Sequence, residues 1–128
     1  MEIFKIITLS LSGLLLLFVG AMRLSNPIKT YLKNSGIKLE KEVNLLNEMR
    51  GLSSVQLLGG IIILLGIFIP KFTFASFVVS TLIFIGFAIG RTISISVDGK
   101  PNKQIIQGLI FELVFGSASV FCLFNILA

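Results

Sequence analysis

Histidine is absent from this 128-residue chain, and cysteine occurs once, as Cys122. Without histidine there is no axial imidazole for a haem, no His-ligated zinc and no Ser–His or Cys–His nucleophile pair. One cysteine excludes an intramolecular disulfide, a CxxC redox pair and a Cys-rich metal site. Neither a metal nor a cofactor is therefore expected. Charge is scarce as well, at 13% of residues, where a soluble domain carries about 25%. The length allows one domain, residues 1–128, with no room for a soluble catalytic unit beside a membrane part.

Apolar side chains fill the space that charge leaves. They make up 55% of the residues, with twelve Phe and twelve Gly, and the mean hydropathy is +1.00. Four long apolar runs account for most of this. A helix rising about 1.5 Å per residue needs about 20 residues to cross a hydrocarbon core of ~30 Å. The runs at about 3–24, 48–69, 72–91 and 104–127 each meet that length. The expected fold is all-α, a polytopic four-helix membrane bundle. Lys5 ahead of the first run, with Val19 and Ala21 near its end, is the rival signature of a cleavable signal peptide. The run exceeds the usual signal core of about 7–15 residues. Cys122 then reads as a small apolar side chain inside the last run.

The connections are uneven. The longest spans 25–47, where Asn26-Pro27 reads as a helix start and Gly36 as a stop. Ile28, Tyr31 and Leu32 share one face between them, and Lys29 and Lys33 take the other. This predicts a short amphipathic helix at the membrane surface. Leu39, Val43 and Leu46 keep helical spacing, so the next helix is expected to begin near Glu40. Pro70-Lys71 makes a tight hairpin between the second and third runs. Thr92–Val97 alternates like a strand, but an isolated strand there would leave its backbone unpaired. It reads instead as the end of a long third helix, closed by Asp98-Gly99, with Pro101 opening the fourth.

Nine of the eleven Lys and Arg residues fall in 23–50 and 91–103, on one side of the membrane. The positive-inside rule makes that side cytoplasmic and places both termini outside it, in the cell inner membrane. The net charge of +5 is thus a match for anionic lipid headgroups, and no nucleic-acid partner is expected.

Glu112 is the sharpest chemical signal. It lies eight residues past Gln104, about 12 Å along a helix axis. A charge near the bilayer centre costs roughly 2.5–3.5 kcal/mol on insertion scales. The carboxyl must face protein and find a partner there, or be protonated. Gln104, Gly108, Glu112 and Gly116 form one stripe, and the two glycines predict close approach of another helix. Gly59-Gly60 with Gln56, and Gly86-xxx-Gly90, suggest further close contacts. Candidate partners lie at the same end: Arg23, Arg50 and Arg91, with Asn47 and Glu48 flanking Arg50. Asn47, Arg50, Gly51 and Ser54 would share one face, and Arg91, Ser94 and Asp98 another. Three arginines and three carboxylates (Glu48, Asp98, Glu112) could cancel in a structural network. Alternatively, the arginines line a cavity and grip an anionic group with bidentate hydrogen bonds.

Taken in order, Asn47-Glu48-Met49-Arg50-Gly51, then Gly90-Arg91 ahead of Ser94, Asp98, Gly99 and Pro101, then a membrane-embedded Glu112, resemble an uncharacterised family of small bacterial four-helix membrane proteins, a domain of unknown function. The resemblance covers nearly the whole chain. It implies an inner-membrane four-helix bundle and carries no activity with it. More loosely, helix number and polar placement are similar to the DoxX-like group.

The leading expectation is a non-enzymatic protein binding a lipid-like or small amphipathic anion in a cytoplasm-facing cavity. The ligand-binding candidates are Arg23, Asn47, Glu48, Arg50, Arg91, Ser94, Asp98 and Glu112. Expected partners are membrane lipids and a second copy or another membrane protein. The alternative is a structural or accessory subunit of a membrane complex or homo-oligomer. A small transporter and a lipid-modifying enzyme using Glu112 as acid or base are weaker readings, because no nucleophile–base pair or metal motif supports the enzyme and one four-helix chain would need copies of itself to make a path.

Overall fold

Each apolar run becomes one helix, and each helix stops at a residue that cannot carry it on. In the computed structural model, which describes residues 1–128, these are α1 (Glu2–Ser25), α2 (Pro27–Ser35), α3 (Val43–Phe68), α4 (Thr73–Asp98) and α5 (Lys103–Leu127), with no strand. Asn26 ends α1 and caps α2, where its side chain accepts from the Lys29 N–H and Pro27 takes the first helical position. Gly36, at φ 67°, closes α2 in the left-handed conformation. The expected start of α3 near Glu40 moves to Val43. The Glu42 carboxylate accepts the Asn44 and Leu45 N–H groups and fixes the helix end there. One turn of 3-10 helix, Pro70–Phe72, makes the hairpin to α4. Thr92–Val97 is the last stretch of α4, and Gly99 at φ 104° ends it. Asn102, rather than Pro101, caps α5 by accepting the Ile105 N–H.

The four long helices have apolar windows of mean hydropathy 2.0 to 2.2. In lipid the hydrophobic effect does not separate an inner from an outer face, so small residues set the packing. α1 and α3 meet backbone to backbone. A Cβ placed on Gly20 would lie 2.5 Å from the Leu57 nitrogen, and one on Gly60 would lie 2.6 Å from the Leu17 nitrogen. The interior combines Leu9, Leu16, Ile63, Phe77, Phe84 and Cys122 with the fully covered hydroxyls of Ser12, Ser53, Ser76, Ser80 and Ser119. Ser76 donates to the Ile62 carbonyl at 2.7 Å and Thr73 to that of Gly66 at 2.8 Å, joining α3 to α4. The Ser80 and Ser119 hydroxyls pair at 2.6 Å between α4 and α5.

Around the bundle, α1 lies along α3, α3 against α4 and α4 against α5, while α1 and α5 meet sparsely. Phe4 and Phe121 close the α1–α5 seam at one end by an edge-on contact, with centroids 5.9 Å apart. Two glycine expectations differ from the structure. Gly86 and Gly90 have no neighbour within 4 Å of a notional Cβ, so this pair is not an internal packing surface. In the Gln104 stripe, Gly116 does seat against Ile85, while Gly108 faces open space.

The short helix α2 does more than lie on a surface. Thr30, Tyr31 and Ser35 are buried against the bundle, and Leu32 is the exposed apolar residue of the helix, beside Lys29, Lys33 and Asn34. The end of α2 is tied to the start of α5. Asn102 donates to the Ser35 carbonyl at 2.8 Å, and Gln104 donates to that of Lys33 at 2.9 Å.

Candidate functional site

Glu112 turns inward and meets Arg91. The Arg91 Nε–H donates to Glu112 Oε1 at 2.7 Å, across the α4–α5 interface. The ion pair neutralises the carboxylate that the fourth run carries into the membrane, and Glu112 retains 9% of its surface uncovered. Its position, Gln104 plus two turns of helix, puts it at the inner end of a cavity of about 410 Å³.

Arg23, from the last turn of α1, forms the opposite wall of that cavity. It is equally buried, at 9% exposed, and no carboxylate reaches it. Its guanidinium makes two long hydrogen bonds, 3.5 Å to Gln56 Oε1 and 3.4 Å to Ser35 Oγ. It stacks over the Tyr31 ring at 4.4 Å, a favourable placement for a cation. Its Nε–H has no partner at all. Gln56 and Ser35 thus orient the arginine without neutralising it. Arg91 sits similarly near the Phe87 ring, 5.8 Å from its centroid. The cavity walls carry two guanidinium groups against one carboxylate, and Lys33 adds a further positive charge at the rim.

A second, more open recess of about 650 Å³ lies on the other side of α4. It shares Arg23, Ser35, Phe87 and Arg91 with the first cavity, so these four residues form the partition between the two. Gly86 and Gly90 line the second recess, which accounts for the open space above them.

The eight candidate residues separate clearly. Arg23, Arg91 and Glu112 come together at the cavity. Ser94 lines the second recess and donates to Asp98 Oδ2 at 2.9 Å, a local pair on the last turn of α4. Arg50 donates to the Leu24 carbonyl at the end of α1, supplying a partner for an otherwise orphan helix-terminal oxygen. Asn47, Glu48 and Arg50 stay on an exposed face of α3, because Ser53, Gln56 and Gly60 take the side that packs on α1. No six-ion network forms; the ion pairs are Arg91–Glu112 and the exposed Lys5–Glu2. The sequence pattern places Tyr31 on the apolar face of α2 and Gln56 at a close contact, but does not pair them or Ser35 with an arginine. Arg23 within the membrane, with polar groups one helix away, was the available signal.

Four apolar crossings and a polar chamber near one end define a multi-pass membrane protein built as a helical bundle. Residues 3–123 match the Domain of unknown function (DUF4345), and the chain belongs to that family. It matches no curated protein and no solved structure.

Proposed function

We propose that this bundle binds a small amphipathic anion, a lipid-like molecule carrying a phosphate or carboxylate, with the charged group between Arg23 and Arg91. One observation carries the reading: Arg23 is a covered guanidinium with an unpartnered Nε–H and no acid within salt-bridge reach. A buried charge is expensive unless compensated. An anion in the cavity would supply that compensation, and a guanidinium can give it two parallel hydrogen bonds. Gln56 and Ser35 would hold Arg23 in place, while Glu112 keeps Arg91 turned toward the site and its charge in check. Nothing in this arrangement resembles a nucleophile with its base, and the reading is one of binding.

Native mass spectrometry of protein extracted in mild detergent tests it. The wild type is expected to retain an anionic amphiphile, and Arg23→Gln to lose it. Equal retention by the two would refute the reading. The Lys and Arg distribution supports a placement in the inner membrane with the cavity toward the cytoplasm and both termini on the other side. An alkaline phosphatase fused to the C-terminus should then be active, and an inactive fusion would reverse the orientation.

A second reading, an accessory or homo-oligomeric subunit, is favoured by the uncovered Gly86 and Gly90 on α4, where a helix from outside could approach closely. Crosslinking in native membranes should then give a higher-mass species that Gly86→Leu abolishes.

A further inference from the structure

The cavity does not end at its apolar wall. Leu15 and Phe111 line it, and the same two residues line a separate groove of about 320 Å³ between α1 and α5. Leu11, Leu14 and Phe18 from α1 and Phe115 from α5 complete that groove, so every residue in it is apolar. The α1 positions recur at spacings of three and four, the spacing that keeps side chains on one helix face. The groove runs along the seam where α1 and α5 meet sparsely, and its far end stops short of the Phe4–Phe121 contact. At the other end, the rim that faces water is polar, with Lys33, Asn34, Gln104 and Gln107. From Arg23 down to Leu11 is twelve residues of helix, about 18 Å, close to half of the ~30 Å hydrocarbon thickness. The molecule therefore presents, in sequence, a polar rim, a pair of guanidinium groups and an apolar track whose far end lies about one leaflet below Arg23.

We infer that the ligand is an anionic lipid of the cytoplasmic leaflet that reaches the cavity sideways, with one acyl chain lying in the α1–α5 groove and its phosphate between Arg23 and Arg91. The inference rests on the anion-binding reading above and adds the occupant's tail, its path and its leaflet. The charged cavity and the groove adjoin across Leu15 and Phe111, and that adjacency argues for a single tailed occupant, since a water-soluble anion would use the cavity alone. Lipid tails are as apolar as leucine, so the groove offers no gain from leaving water. Selection must come from the head group, and the groove's part is to give the chain a place that lets the phosphate stay at the arginines. The sparse α1–α5 contact lets the lipid move in without crossing water or parting the glycine-packed α1–α3 pair.

Full-length protein in phosphatidylcholine nanodiscs, doped with phosphatidylglycerol carrying a diazirine near the end of one acyl chain, provides the test. The control carries the same chain on phosphatidylcholine. Photolabelling mapped by mass spectrometry is expected at Leu11–Phe18 and Phe111–Phe115 for the anionic lipid, above its labelling of the outward faces of α3 and α4. Arg23→Gln should reduce that preference about tenfold, the loss of one charge-assisted contact. Leu14→Trp, which fills the groove from a residue that does not line the cavity, should lose the phosphatidylglycerol yet keep wild-type binding of glycerol phosphate, a head group without a tail. Uniform labelling of all helices, meaning annular lipid only, overturns the groove. So does full lipid retention by Leu14→Trp. In either case, glycerol phosphate binding that still depends on Arg23 leaves the cavity reading intact. If neither lipid nor glycerol phosphate responds to Arg23→Gln, the cavity reading falls and the groove with it.

Discussion

The Arg91–Glu112 pair can be measured with a double-mutant cycle, because its expected size separates it from an ordinary membrane hydrogen bond. Two unit charges about 4 Å apart attract by about 4 kcal/mol at an effective dielectric constant of 20. Here the contact is 2.7 Å, and the Glu112 side chain is 12% uncovered, which preserves the attraction. The Arg91 side chain is 27% uncovered and loses part of it at the cavity surface. We expect a coupling of about 2 kcal/mol, since removing one member of a fully buried pair costs roughly 3–5 kcal/mol. Neutral hydrogen bonds between membrane helices couple by only about 0.6 kcal/mol on average. The cycle comprises wild type, Glu112→Gln, Arg91→Gln and the double variant, each unfolded reversibly in mixed micelles. Glu112→Gln alone should be the worst of the three, because it leaves two guanidinium groups facing each other across the cavity. The double variant should recover much of that loss. A coupling at or below about 0.6 kcal/mol would show that the carboxylate is not acting as a counter-ion, and the charge accounting behind the anion site would fail.

Three further outcomes follow from the same geometry. Glu112→Gln should retain more anionic lipid than wild type by native mass spectrometry while being less stable, because it removes the carboxylate that competes for Arg91; a fall in both would make Glu112 part of the ligand's own contacts. Gly20→Ala and Gly60→Ala should each destabilise the bundle by about 1–3 kcal/mol through overpacking against backbone, whereas Gly90→Ala, which meets nothing within 4 Å, should be neutral or gain up to about 1 kcal/mol of helix propensity. Asn102→Ala removes both the α5 cap and the bond to Ser35, an expected loss of about 2 kcal/mol, seen as faster hydrogen exchange at residues 33–36 and 103–106.

The membrane spans, the caps at Asn26 and Gly36 and the inward turn of Glu112 were all legible, since each follows from a strong local rule. A carboxyl in hydrocarbon must face protein, and Asn-Pro and Gly punctuate helices in any solvent. The facing of α3 was legible only in part: Gly59-Gly60 and Gln56 marked its close contacts, while the face assigned to Asn47, Arg50, Gly51 and Ser54 is not the packed one. Its apolar residues surround the helix evenly, and the polar group Asn47–Arg50 lies near its start, where an exposed side chain is solvated at no cost. What decides the inner face are the small residues Ser53 and Gly60, which fit against Gly20 and Gly13 of α1, with Gly59 set against Ile83 of α4. That complementarity between two distant segments has no signature in either alone. The Gly86–Gly90 pair shows the converse, since the same spacing that marks close packing elsewhere here borders an open recess. Arg91 was named among three arginines as a partner for Glu112, and the structure selects it because α4 and α5 are the neighbouring pair. Tyr31 is legible as part of the apolar stripe of α2 but not as a partner of the Arg23 cation, which lies on a different helix.

The ties from Asn102 and Gln104 to the end of α2 set an order on biogenesis. The groups that fasten the end of the short helix come from a segment translated well after it, and a side chain on Gly36 would lie 2.5 Å from Gln104 Oε1. α2 can rest on α1 through the Thr30–Met22 bond and the Tyr31–Arg23 stack without α5. Its last turn, which carries Ser35, gains the ties from Asn102 and Gln104 only when α5 has docked. The Ser35 wall of the chamber is thus fastened late, and a nascent chain halted before Asn102 would bring Tyr31 onto Arg23 yet lack both the ties to α2's last turn and the Glu112 carboxylate.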